Sequence, residues 1–321
     1  MKKSFVAFIL LYSNLGPIAF AHSLDTLEPN RPLPRIAILD TAIDASNPAL
    51  NGRIVYEACV TEWNSCPNGL SEMEGTNSAS IPRNFLERNG FDHGFQMASV
   101  AIATNPNIEI IFVRIIGMHS NGLRQYSGEA TVYQALDWVI RNQQRLRIQA
   151  VSLSQGHHKL ESYSSYCPKT PITESKIVQL KNMGIPVFTS SGNNGDYSRL
   201  DWPACIPSTI AIASANSDKT ISSYSNYDSA LTDFIAIGKL SISGIYGKPI
   251  TISGSSISTV ISASIWASLS SRFPELTYDE LYSFLKNRSS SISNSFIADG
   301  KYIDMKLFSQ YIFQNTTWRS R

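Results

Sequence analysis

The sequence predicts an α/β protein with a mainly parallel central sheet and helices on both of its faces. Three observations carry this expectation. Short, continuously apolar, β-branched runs recur along the chain, segments of helical period fall between them, and no internal repeat or long linker divides the 321 residues.

The strand expectations, in chain order, are Arg35 to Asp40 (RIAILD), Glu109 to Ile115 (EIIFVRI), Gln149 to Leu153 (QAVSL), Pro186 to Ser190 (PVFTS), Thr209 to Ala213 (TIAIA) and Asp233 to Ile237 (DFIAI). Helices are expected after His93, over Glu129 to Asn142, over Thr173 to Met183, after Ser256, and over Tyr278 to Lys286. In the second of these, Val132, Ala135, Leu136, Val139 and Ile140 recur at three- and four-residue spacing, the mark of one buried helical face. Residues 51 to 89 are rich in Asn, Ser, Glu and Pro and read as one long surface insertion.

The chain opens MKKSFVAFILLYSNLGPIAFAHS: two lysines, an apolar stretch, then the small residues Ala19 and Ala21 either side of Phe20. That pattern predicts a secretory signal over residues 1 to 21, and Asn14, Gly16 and Pro17 interrupt the run as a membrane anchor. Removing it takes Lys2 and Lys3 and no acid, so 27 basic residues become 25 against 25 acidic ones. A chain so nearly neutral gives no argument for nucleic acid or an anionic membrane surface as a partner, and no stable membrane insertion is expected once the signal is gone. Localisation is accordingly expected to be secreted or periplasmic. Cys59, Cys66, Cys167 and Cys205 form no CxxC pair and suit two disulfides in an exported protein. Three connectivities are open; Cys59 with Cys66 and Cys167 with Cys205 is preferred because the first two are neighbours in one polar stretch.

Ligands of parallel sheets bind at the carboxyl ends of the strands, so polar residues there are the first candidates for function. Asp40 closes the first strand, His93 stands at the mouth of a helix in Asp92-His93-Gly94, Asn193 follows the fourth strand in SSGNNG, and Ser256 starts a helix after Gly254. Each alone reads as a cap, a turn former or a satisfied buried histidine. Together they supply what acyl transfer needs: a hydroxyl, a histidine to take its proton, a carboxylate to orient that histidine, and an amide to meet the oxyanion. Their order in the chain, Asp before His before Ser, is the subtilisin order.

Four blocks then resemble the subtilisin-like serine peptidases, or subtilases (peptidase family S8). IAILDTAID resembles the Asp-Thr-Gly segment, with Ala42 where glycine is usual. DHGFQMASVAIA resembles the His-Gly-Thr-x-Val-Ala helix, with Phe95 in the threonine place. SSGNNG matches the segment of the oxyanion asparagine, and GSSIS resembles Gly-Thr-Ser-Met-Ala, which puts the nucleophile on Ser256 rather than Ser255 or Ser258. Weaker matches are NGLRQYSGEATVYQALDWVI to a substrate-binding edge passing into a helix, VSLSQG to the facing edge usually written Asn-x-Ser-Leu-Gly, WPACIPSTIAIAS, and YIDMKLF. The likeness runs from about Arg35 to about Phe308.

The resemblance implies a three-layer subtilisin-like fold, a catalytic domain over 34 to 312, a C-terminal tail over 313 to 321, and a serine endopeptidase acting on protein or peptide substrates. It implies Asp40, His93 and Ser256 as catalytic residues and Asn193 as the oxyanion donor. A substrate is expected to lie extended between Gly122, Leu123 and on to Tyr126 on one side and Ser152, Leu153, Ser154, Gln155 and Gly156 on the other. Ser190, Ser191 and Gly192, together with the unusual Gln155, are expected to shape side-chain pockets beside it. The chemistry requires no cofactor; calcium is common in the family, but Asp44, Asp196 and Asp201 form no loop to which ligands can be assigned. His157 and His158 with Glu161 read as solvated surface residues.

Departures from the family pattern are also legible. Thr259 and Val260 occupy the stretch where a proline usually follows the serine motif, and Ala236-Ile237-Gly238 stands where Ala-Pro-Gly is usual. Residues 22 to 33 leave no room for a folded prodomain, which suggests a separate folding or inhibitory partner or unaided folding. A catalytically silent subtilase-like binding protein and an esterase or amidase with the same triad are the alternative functions; the absence of GxSxG argues against an α/β-hydrolase esterase.

Overall fold

A computed structural model describes residues 32–87, 90–125, 128–158, 167–294 and 297–313. The expected signal segment, residues 22–31, Tyr126, Glu161 and the tail beyond Phe313 lie outside the described residues.

The apolar runs become strands β1 (Arg35–Asp40), β2 (Ile54–Val60), β3 (Glu72–Glu74), β4 (Glu109–Arg114), β5 (Gly117–Met118), β6 (Arg124–Gln125), β7 (Ala150–Leu153), β8 (Val187–Ser190), β9 (Ile210–Ala215), β10 (Thr232–Ile237), β11 (Lys239–Ser243), β12 (Pro249–Ser253), β13 (Ser290–Asn294) and β14 (Ile297–Ile303). The helices are α1 (Arg83–Leu86), α2 (His93–Thr104), α3 (Glu129–Leu146), α4 (Pro171–Asn182), α5 (Ser255–Arg272), α6 (Tyr278–Arg288) and α7 (Met305–Phe313). Among the described residues one sheet has the order β13-β14-β10-β9-β8-β7-β1-β4-β2-β3. From β14 to β2 every neighbouring pair is parallel, and only β13 and β3 at the two edges run antiparallel to their neighbours. Parallel strands bury both faces, which is why β1, β4, β7 and β9 carry almost no exposed residue.

The fold is a three-layer α/β arrangement. Helix α5 packs on β1, β7, β8, β9 and β10 with α2 and α7 beside it, while α3 and α4 pack on each other. In α3 the spaced residues Val132, Ala135, Leu136 and Val139 are buried, and Arg147 in the left-handed region ends the helix. Helix α6 starts in a capping box, with the Thr277 side chain on the Glu280 amide and Glu280 reaching back to Thr277. Residues 255–269 of α5 are buried without exception, as expected of a helix apolar on all sides at the centre of a domain. Its many serines are accommodated by bonding back along the helix: Ser262 Oγ donates to the Ser258 carbonyl at 2.8 Å and Ser268 Oγ to that of Ser264 at 2.7 Å.

The stretch 51–89 is not wholly a surface insertion. Within it β2 joins the main sheet beside β4, burying Ala58, Cys59 and Val60. Its disguise is Glu57, a buried acid in mid-strand whose carboxylate accepts from the Asn77 amide at 2.9 Å, and whose pKa burial raises. Arg114, buried at the end of β4, ties this stretch to the sheet by donating to the carbonyls of Ile116, Ser80 and Ser65 at 3.0, 3.1 and 3.2 Å. No acid pairs with it among the described residues, and burial pushes its guanidinium down to about 10. Disulfides join Cys59 to Cys66 and Cys167 to Cys205, seven and 38 residues apart in sequence.

Candidate active site

Two chain segments meet where β1 ends and α2 begins. Thr41 Oγ1 donates to the Phe91 carbonyl at 2.7 Å and accepts from the Gly94 amide at 2.8 Å, so the residue after Asp40 grips both sides of His93. Gly94 permits the approach: a Cβ there would stand 2.5 Å from the Phe112 ring and 2.6 Å from the Ala42 carbonyl oxygen. Sequence reading did not single out Thr41, although the hydroxyl follows the acid directly in the motif.

The result is a bond of 2.8 Å between His93 Nδ1 and Asp40 Oδ1. Asp40 is completely buried. Its Oδ1 also accepts from the Thr41 amide at 2.6 Å and from Gln155 Nε2 at 3.1 Å, whereas its buried Oδ2 has no partner among the described residues. Burial disfavours the His93 cation and is the largest single influence on it. The Asp40 carboxylate, by charge and by hydrogen bond, and Asp92 nonetheless outweigh burial and the opposing charge of Arg124, so the His93 pKa stands above the ordinary histidine value.

Ser256 is the second residue of α5 and is buried, with a small part of its surface open. The turn before it needs glycine, because Gly254 sits at φ +155°. The hairpin β11–β12 delivers that turn, and the Gly254 amide donates to the Gly238 carbonyl at 2.9 Å. Without the proline usual after the serine motif, α5 runs unbroken from Ser255 to Arg272, and Thr259 Oγ1 bonds back along it to the Ser255 carbonyl at 2.9 Å. Among the described residues His93 bonds to Asp40 and shows no hydrogen bond to Ser256. Such contacts are often long before substrate arrives.

Asn193 stands on the loop after β8 with its side chain directed at the same turn. Its Oδ1 accepts from the amide of Ser255 at 2.9 Å and from the Ser255 hydroxyl at 3.0 Å. This fixes the amide plane and leaves the Nδ2 hydrogens for another acceptor. Ser255, set aside in favour of Ser256 as the nucleophile, therefore holds the asparagine, a role that nothing in Gly-Ser-Ser distinguishes. The loop itself is pinned through Asn226, whose Oδ1 accepts from the amides of Asn194 and Asp196 and whose Nδ2 donates to Asp201 at 2.8 Å. Ser191 and Gly192 are buried against this cluster, and the Asp201 carboxylate lies where a Gly192 side chain would be. His158 Nδ1 completes the cluster 2.9 Å from Asp201, so it is paired rather than simply solvated.

The expected substrate channel needs a correction. Ser152 and Leu153 lie inside β7, which pairs with β1 on one side and β8 on the other, and both are buried. Their backbone groups are committed to the sheet, so neither can take an added strand. The unpaired stretch begins at Ser154, whose Oγ reaches the Ser256 carbonyl at 3.4 Å, and continues through Gln155 and Gly156. The other expected edge, Gly122 and Leu123, lies in the turn of the small β5–β6 hairpin, where Gly122 has φ +81° and the Phe85 ring leaves no space for a side chain. The strand edge on that side is Arg124–Gln125. No group of His, Cys, Asp and Glu that could hold a metal ion occurs among the described residues.

This constellation has relatives. The family model described as the subtilase family matches residues 34–304. The chain belongs to the subtilase family. By family this subtilase is a serine-type endopeptidase. It is similar to an intracellular serine protease of Paenibacillus polymyxa, 26% identical over an alignment 285 residues long that covers 81% of this chain and 75% of the relative. Subtilisin amylosacchariticus of Bacillus subtilis subsp. amylosacchariticus is 27% identical over an alignment 270 residues long, which covers 82% of this chain and 62% of that protein's length. In fold it resembles a mutant of the protease domain of PatA, with TM-score 0.66 at 15% identity over 87% of this chain and 94% of that one. A cold-adapted subtilisin-like serine proteinase gives TM-score 0.56 at 18% identity, covering 84% and 87% of the two chains.

Proposed function

We propose that this subtilase is an exported endopeptidase that cleaves peptide bonds through Ser256, His93 and Asp40. The observation that carries the proposal is the 2.8 Å bond from His93 to a fully buried Asp40, set beside a serine at the start of α5 in the family's order. Ser256 Oγ attacks the peptide carbonyl as His93 Nε2 takes its proton, and His93 then returns the proton to the leaving amine. Asp40 holds the Nδ1–H tautomer and stabilises the imidazolium. The oxyanion is met by Asn193 Nδ2 and the Ser256 amide, with the positive end of α5 behind them. Water hydrolyses the acyl-enzyme by the same steps in reverse. An extended substrate pairs with Arg124–Gln125 on one side and Ser154–Gly156 on the other. Export is supported by the lysine-plus-apolar opening of the sequence and by the two disulfides.

The test is labelling by a fluorophosphonate probe in wild type, Ser256→Ala and Ser255→Ala. Labelling abolished by Ser256→Ala and retained in Ser255→Ala supports the assignment; a folded wild type that never labels defeats it. Turnover of unfolded proteins against small esters then separates peptidase from esterase.

A further inference from the structure

Gln155 takes the place of the leucine in the Asn-x-Ser-Leu-Gly segment, and its side chain is turned into the site. Its neighbours fix that direction. On one side Ser154 Oγ holds the Ser256 carbonyl at 3.4 Å. On the other, His157 and Trp202 exchange backbone hydrogen bonds at 2.9 and 3.0 Å, and the Trp202 carbonyl closes the space beside Gly156. Between these anchors Gln155 Nε2 stands 3.1 Å from Asp40 Oδ1 and 3.1 Å from His93 Nδ1.

Only one proton arrangement satisfies this triangle with Asp40 ionised. Turning the amide over would set Gln155 Oε1 against a carboxylate oxygen, two acceptors with no hydrogen between them. Moving the His93 proton to Nε2 would set a bare Nδ1 2.8 Å from the same carboxylate. Hence Nδ1–H and the Gln155 N–H both donate to Asp40 Oδ1, alongside the Thr41 amide. The 3.1 Å approach of Gln155 to Nδ1 is a packing contact.

We propose that Gln155 is a positioning residue of this site: by sharing the Asp40 oxygen that His93 uses, it locks the Nδ1–H tautomer and weakens the pull of Asp40 on the imidazolium. The proposal rests on the reading of Asp40 and His93 as an acid–base pair. A third donor on Oδ1 spreads the carboxylate charge, so Gln155 lowers the proton affinity of His93 relative to a site with leucine at this position. The charged groups that face His93 are Asp40 from β1, Asp92 at the start of its own helix and Arg124 from β6, and Gln155 adds no titrating group to them.

The experiment follows His93 by NMR in the Ser256→Ala protein, where turnover plays no part, and repeats it with Gln155→Leu and Gln155→Met. Both variants should raise the His93 midpoint by about half a unit, and in the Ser256 enzyme shift the acidic limb of kcat/KM with it, about threefold in rate below the midpoint. In wild type a Gln155 side-chain amide proton should titrate with the His93 midpoint. A folded Gln155→Leu with the wild-type midpoint, or a change confined to KM, overturns the proposal. So does a Gln155 amide proton in wild type that ignores His93. Because the titration needs no substrate, failure of this proposal and failure of the peptidase assignment register in separate measurements.

Discussion

Asn193 turns its carbonyl oxygen onto Ser255, 2.9 Å from the amide and 3.0 Å from the hydroxyl, so one residue of the nucleophile turn orients the amide beside it.

Removing the donor should therefore cost more than removing its anchor. Asn193→Ala is expected to lower kcat by roughly 10²–10³ with KM little changed, a size known from subtilisin itself. Ser255→Ala keeps the backbone amide on Asn193 Oδ1 and loses one neutral hydrogen bond of about 1 kcal/mol, so a fall of about fivefold is expected. Steady-state kinetics on one peptide substrate compare the two. Equal losses would show that the hydroxyl, not the amide, fixes the asparagine.

The pH dependence follows from His93. It must be neutral to accept the Ser256 proton, and its pKa is raised, so kcat/KM should rise with pH through a midpoint above about 6.5. Stability runs the other way. The pairing of charged His93 with Asp40 contributes fully below the unfolded histidine pKa and is lost as pH rises through the higher folded value. Urea midpoints of wild type and His93→Gln between pH 5 and 9 should converge as pH rises. Asp40→Asn, which leaves the wrong tautomer, should lower kcat by about 10⁴.

Gly94→Ala tests the junction between β1 and α2. The added methyl meets a backbone carbonyl and the Phe112 ring, neither a flexible end that can swing away. A loss of roughly 1–3 kcal/mol in urea unfolding is expected, together with lower kcat because His93 begins the displaced helix.

The two disulfides should differ in value. In the loop-closure picture the 38-residue span of Cys167–Cys205 contributes about 4 kcal/mol and the seven-residue span of Cys59–Cys66 about 2 kcal/mol. Paired alanine variants of each, unfolded in denaturant, should rank accordingly.

Much of this architecture can be read from patterns of a few residues. The runs at Arg35, Glu109, Ala150, Val187, Ile210 and Thr232 form the middle of the sheet because continuous β-branched stretches bury both faces. Strand β2 is hidden in the sequence because Glu57 breaks its apolar run, and the acid is made tolerable by the backbone amides of Asn77 and Ala79, some twenty residues away. The β11–β12 hairpin did carry a signal, with Leu240, Ile242, Ile250 and Ile252 alternating around Gly244 and Gly247. Within the site, Asp40, His93, Asn193 and Ser256 stood out because each sits in a short motif at a strand or helix end. The grip of Thr41, the anchoring by Ser255 and the reach of Gln155 were not legible. They depend on which way a side chain points once three separate segments have been brought together.

The nucleophile belongs to helix α5, whose residues 255–269 are all enclosed by the rest of the molecule. No partial loosening can free Ser256 from its frame while the sheet survives, because the residues that seat it are the same ones that fill the interior. Heat or denaturant should then leave no inactive but compact survivor: the loss of probe labelling and the loss of tertiary structure should trace one curve, so that activity serves as a direct count of intact molecules.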